Sequence, residues 1–140
     1  MVAVGEEHFI GKIAQKAIIQ NNEKVLITRA SRDSETWELP GGRLNRHEKP
    51  RDGLARELKE ELGIEFSVGE IIFAEQFEHI GSNSPTVVLI YRVEMLGRAD
   101  EFQVDPLEIV DMAWVDRNTW KRYKLFPEYE RALATYFSSL

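Results

Sequence analysis

A 23-residue stretch, Gly42 to Ile64, constrains this chain more than any other part of it. A Gly41-Gly42 turn feeds a loop, and a helix opens near Pro50 and stops at Gly63. Within the helix Leu54, Leu58 and Leu62 recur every fourth residue with Ala55 beside them, so one stripe is apolar and packs inward. Glu57, Glu60 and Glu61 stand three and four positions apart, which puts their carboxylates on one other face. Like charges one turn apart cost a helix about 0.2–0.5 kcal/mol. Arg56, four positions before Glu60, offsets part of that. A cluster of hard carboxylate oxygens is the donor set Mg²⁺ takes when it bridges protein to phosphate, whereas the commoner reading of a Glu-rich helix is a solvated charged face.

Composition limits the rest. The chain has 140 residues, 43% apolar and 30% charged, which suits one compact soluble domain, residues 1–140, with a single core. A net charge of −6 argues against nonspecific nucleic-acid binding or an anionic-membrane partner. Cysteine is absent, which excludes disulfides and thiolate metal sites. Met1 to Glu7 has neither a basic nor an apolar leader region, and no run approaches membrane-spanning length, so a cytoplasmic enzyme is expected.

Residues 8–19 read as a strand, Asn21-Asn22 as a turn and Val25-Leu26-Ile27 as the returning strand. Arg29 to Thr36 is a polar loop, and Trp37-Glu38-Leu39 leads to Pro40-Gly41-Gly42, which ends any regular element. Phe66 to Phe77 returns as one or two strands, Gly81 to Pro85 is a loop, and Thr86 to Met95 is a central strand. Gly97 to Pro106 is acidic and irregular; Met112 to Val115 is a short strand, and Asp116 to Thr119 caps a short helix near Trp120. Pro127 opens a last helix to about Ser138 with Tyr129, Leu133, Tyr136 and Phe137 on its apolar side. This alternation supports an α/β or α+β domain with a mixed sheet.

The stretch resembles the Nudix box, Gly-x5-Glu-x7-Arg-Glu-apolar-x-Glu-Glu-x-Gly-apolar, filled here without a gap by Gly42, Glu48, Arg56, Glu57, Leu58, Glu60, Glu61, Gly63 and Ile64. At roughly one in twenty per fixed position, such a match arises by chance on the order of 10⁻⁹ of the time. The resemblance implies an α/β/α sandwich and Mg²⁺-dependent hydrolysis, with Mn²⁺ as a substitute, of a diphosphate linkage in a nucleoside diphosphate derivative: a (d)NTP, a nucleotide sugar or ADP-ribose. It places metal ligands at Glu57, Glu60, Glu61 and the Gly42 carbonyl, and it makes Arg56 the partner that holds the carboxylates, with Glu48 in the same network. Arg56 also suits a simple i,i+4 pair with Glu60, and Glu48 suits a helix N-terminus.

The general base stays open between a box glutamate, Glu57 or Glu60, and a loop acid. Glu108 stands six residues before Trp114, as the loop acid does in MutT-type members, with Glu101, Asp105 and Asp111 as rivals. For substrate, Arg29 and Arg32 are candidate phosphate contacts, and Trp37 and Phe77 are candidate stacking partners for a base, although packing before the Leu-Pro-Gly-Gly turn explains Trp37 better and surface arginines are common. His8, His47 and His79 share no metal-ligand spacing. Subfamily marks are missing: Gln76 to Gly81 has no proline of the ADP-ribose type, Gly81-Ser82 stands where diadenosine polyphosphate hydrolases carry tyrosine, and Leu125 stands where MutT-type enzymes carry asparagine. Two other readings accompany hydrolysis. An isopentenyl diphosphate isomerase-like enzyme would need the cysteine this chain lacks, and a catalytically weak nucleotide-sensing domain usually carries a degraded box. The resemblance also brings in homodimers, which family members often form.

Overall fold

The computed structural model describes residues 7–30, 33–78, 81 and 84–140; the candidate phosphate contact Arg32 and His79 lie outside them. Among the described residues, strands β1 (Lys12–Asn21), β2 (Lys24–Arg29), β3 (Gly41–Arg43), β4 (Phe66–Phe77), β5 (Thr86–Met95) and β6 (Asp111–Val115) form one mixed sheet, ordered β4-β5-β1-β2-β6 with β3 beside β1. Helices α1 (Pro50–Leu62) and α2 (Pro127–Ser138) cover its two faces. The α/β/α sandwich is therefore present. Among the described residues no helix is long and apolar enough to cross a membrane.

Strand β1 explains the layering. Its residues alternate between faces as strand geometry requires: Ala17 and Ile19 pack with Leu54, Leu58 and Leu62 of α1, while Ile18 packs with Tyr129, Leu133, Tyr136 and Phe137 of α2. The three leucines are fully buried, each contributing about 1.5–3 kcal/mol of transfer free energy. Helix α1 starts at Pro50 and ends where Gly63, at φ +80°, donates its N–H to the Lys59 carbonyl, the left-handed stop that glycine adopts at little cost.

Strand β1 also runs parallel to β5, Lys12 opposite Thr86 through Ile19 opposite Val93, and antiparallel to β3, with Gln15 opposite Gly42. Two sequence expectations change and a third is narrowed. The first turn centres on Asn22 and Glu23, both at positive φ, instead of Asn21-Asn22, because Asn21 still pairs with Lys24. Phe66 to Phe77 is one strand broken by bulges near Ile71. Gly41 to Arg43 continues as strand β3 instead of ending regular structure, since two glycines let this backbone come close to β1; a Cβ on Gly41, at φ +141°, would lie 2.1 Å from the Gln15 carbonyl.

Candidate functional site

Four segments meet where β3 abuts α1. Strand β3 sets Gly42 against the helix so tightly that a Cβ there would fall 2.7 Å from the Glu57 carboxyl carbon. The carboxylate thus occupies the space a side chain at 42 would need, beside the Gly42 backbone. Arg56 is the hub of the surrounding charges: Nε donates to Glu48 Oε2 at 2.7 Å, Nη2 reaches Glu48 Oε1 and Glu57 Oε1 at 3.2 Å, and Nη1 spans both Glu60 oxygens at 3.1 Å. The hydrogen bond from Arg56 holds the Glu48 carboxyl below the usual carboxylate range, and Glu48, Glu60 and Glu57 together push the guanidinium up. Such partly exposed pairs contribute little stability each. Their effect is positional, because one planar cation fixes three carboxylates.

Glu61 differs from its neighbours. It is 6% exposed, and burial raises its pKa to about 8, helped by Glu57 and Glu108 and opposed by Lys16 and by the Gly41 N–H that it accepts. The solvated-face reading therefore fails at this residue. The irregular segment before β6 is tied to the end of α1, with Gln103 N–H donating to the Leu62 carbonyl at 2.8 Å and Asp105 N–H to the Glu61 carbonyl at 3.2 Å. Glu108, exposed on the turn closed by its own N–H to the Asp105 carbonyl, thereby lies within electrostatic reach of Glu61. Its rivals are engaged otherwise: Glu101 Oε1 accepts the Arg98 N–H, Asp105 the Leu107 N–H, and Asp111 pairs with Arg29 at 3.8 Å.

The donor set suits a hard divalent cation. Glu57, Glu60, Glu61 and the Gly42 carbonyl supply only oxygen, and the Glu57–Gly42 contact leaves no side chain between carboxylate and backbone. Among the described residues, no three acidic or histidine side chains already converge on one point. Arg56 draws Glu57 and Glu60 toward itself, while Glu61 rests against Gly41.

On the other side of β3 a cleft of about 320 Å³ opens between β1 and the start of α2. Phe77, Phe126 and Tyr129 line it, together with Lys16, Glu38 and Gly42. Lys16 is 8% exposed and pairs with Glu38 at 3.0 Å; burial opposes its charge, but Tyr129, Glu38 and Glu61 outweigh that and push its pKa to about 12. Phe77, a sequence candidate, is thus in the cleft. Trp37 is in its frame: it packs edge-on to Tyr123 at 5.0 Å, donates to the Lys124 carbonyl and accepts from Phe126 N–H. Arg29 donates to the Ser34 carbonyl and faces Asp111, away from this lining. Sequence reasoning missed Lys16, Glu38 and Phe126; the available signal was Lys16 itself, a charge set among the apolar residues of β1.

The NUDIX domain family model matches residues 12–136. Two curated relatives are the CTP pyrophosphohydrolase of Escherichia coli (strain K12), 41% identical over 68 residues covering 46% of this chain and 50% of that protein, and the 8-oxo-dGTP diphosphatase of Buchnera aphidicola subsp. Acyrthosiphon pisum (strain APS), 42% identical over 60 residues covering 43% and 47%. The matched stretch thus spans about half the length of these relatives. Among solved structures, the E. coli ORF135 protein superposes with a TM-score of 0.77 at 28% identity, covering 91% of this chain and 89% of that one. The MutT protein from Methanosarcina mazei Go1 gives 0.75 at 25%, covering 96% and 97%. With the box residues gathered around Arg56, the sandwich in place and a family match over nearly all of its length, this chain belongs to the Nudix family.

Proposed function

We propose that the chain is a divalent-cation-dependent pyrophosphohydrolase of a nucleoside triphosphate or another nucleoside diphosphate derivative. The observation that carries this reading is the packing of the Glu57 carboxylate against Gly42, with Arg56 holding Glu48, Glu57 and Glu60 around it, at the edge of the aromatic-lined cleft. The names of the two relatives, which refer to CTP and 8-oxo-dGTP, support a nucleoside triphosphate.

In this reading Glu57, Glu60, Glu61 and the Gly42 carbonyl hold Mg²⁺, or Mn²⁺ in its place. The ion, when bound, supplies Lewis-acid neutralisation of the phosphate oxygens. Phe77 and Phe126 flank the base in the cleft, which directs the phosphates toward Gly42. Arg56 keeps the carboxylates from being pushed apart by one another and by the substrate's own negative charge. Glu108 accepts the proton of a water that attacks phosphorus; the bridging P–O bond breaks, and its electron pair leaves on the departing phosphate oxygen. Positioning and charge compensation account for most of the rate in such transfers.

The test is product release over a panel of NTPs, dNTPs, ADP-ribose and nucleotide sugars, with Mg²⁺ and with EDTA, together with Glu57→Gln. Metal-dependent turnover of a nucleotide that Glu57→Gln abolishes is the expected result. Turnover that continues in EDTA, or a variant as fast as the parent, would refute the site.

A further inference from the structure

Gln15 has no part in the chemistry above, yet it is 1% exposed in the middle of the sheet. A buried glutamine costs stability unless its amide is hydrogen-bonded, and a methionine or leucine would fill the same space without that requirement. The amide is bonded at both ends. Gln15 Nε2 donates to the Pro50 carbonyl at 2.8 Å, and Gln15 Oε1 accepts from the Tyr91 hydroxyl at 2.8 Å. Pro50 is the first residue of α1 and Tyr91 belongs to β5. The Gln15 backbone, meanwhile, is paired directly with Gly42 of β3. One residue of the central strand β1 therefore links the strand bearing Gly42, the helix bearing Glu57 and Glu61, and strand β5. The helix needs such a fixing point, because its N-cap residue Lys49 makes no side-chain cap hydrogen bond. Arg51, in the first turn, adds a second contact by placing its guanidinium 5.8 Å from the Tyr91 ring centre.

We propose that Gln15, braced by Tyr91, is a positioning residue that sets the height of α1 relative to Gly42 and so fixes the spacing on which the carboxylate site depends. The proposal rests on the functional reading above. The leucines hold the helix against the sheet through non-directional apolar contacts that do not themselves resist sliding along its axis. Exposed Arg51 Nε, donating to the Gly69 carbonyl of β4 at 3.1 Å, and the backbone bonds at the far end of α1 add direction, and Gln15 supplies the buried bond to the first turn. A directional hydrogen bond to the first turn resists that motion. A displacement of about 1 Å is enough to cost a site about a hundredfold in rate.

The experiment uses Gln15→Met, Tyr91→Phe and the double variant. Each single change strands a buried polar partner and should destabilise the fold. The double change replaces both with apolar groups of similar shape, so its melting temperature should return close to that of the parent. If Gln15 positions the site, the double variant still binds Mn²⁺ about 10–100-fold more weakly in direct titration without nucleotide, with kcat reduced and nucleotide affinity in EDTA unchanged. A double variant with parental Mn²⁺ affinity and kcat overturns the positioning role, and so does one whose metal affinity recovers in step with its melting temperature. A parent protein that binds no Mn²⁺ and turns over no nucleotide overturns instead the functional reading on which the role is built.

Discussion

Replacing Glu61 with glutamine should stabilise the metal-free protein while weakening its function. The carboxyl's pKa rises from 4.5 to about 8 because burial disfavours its charged form. Between those two values the folded chain holds a proton that the unfolded chain has released, so this residue makes stability fall as pH rises through the window and level off above it. Each tenfold difference in proton affinity is about 1.4 kcal/mol. The destabilisation is therefore close to zero below pH 4.5, roughly 3 kcal/mol at pH 7 and roughly 5 kcal/mol above pH 8. Glutamine keeps the shape of the protonated acid and cannot ionise. Urea unfolding in EDTA at pH 5, 7 and 9 should show Glu61→Gln gaining on the parent with each step, by roughly 3 kcal/mol at pH 7, which thermal unfolding at that pH should show as about 10 °C in melting temperature. Adding Mg²⁺ should bring the parent back close to the variant at pH 7, since a ligand at a hundred times its Kd stabilises the parent by about 2.7 kcal/mol and the variant far less. A difference in stability that does not change with pH would refute the burial argument. A variant stabilised by Mg²⁺ as much as the parent would remove Glu61 from the cation site.

Glu108→Gln should lower kcat by about 10²–10⁴-fold with KM little changed, as steady-state assays would show; a parental rate would return the base to Glu57 or Glu60. Gly42→Ala drives a methyl group to within 2.7 Å of the Glu57 carboxyl carbon, and moving that carboxylate should cost about a hundredfold in kcat without shifting the unfolding midpoint appreciably. Leu58→Ala, at a fully buried site, should cost about 2–5 kcal/mol in urea unfolding and leave Mn²⁺ affinity unchanged under conditions where the variant is folded.

The box was legible because its chemistry is local. Arg56, Glu57, Glu60 and Glu61 lie within two turns of one helix, and the signals that begin and end that helix, Pro50 and Gly63, agree with its apolar period. The sandwich was partly legible, since alternating apolar residues announce strands but not which strands are neighbours. The parallel pairing of β1 with β5 joins residues far apart in the chain and has no local signature. The substrate cleft was the least visible. Phe77 comes from β4, Lys16 from β1, Glu38 from the segment before β3, and Phe126 from the approach to α2, and nothing in their spacing announces that they meet. Strand β3 was hidden for a different reason, because two glycines that read as a break serve here as the means of close approach.

The parallel union of β1 with β5 also governs when the protein can work during its synthesis. A ribosome that has released residues up to Ile64 has delivered the entire box, yet β1, the strand that seats Gly42, still lacks its parallel partner, which arrives only with Thr86 to Met95. Until then Ala17 and Ile19 lack their β5 neighbours Tyr91 and Val93, and Tyr91, which braces Gln15, does not exist. Contacts closed over so long a loop are slow to form. The motif that identifies this chain is therefore complete early in translation, but the site it encodes becomes competent only after the second half of the sheet has arrived.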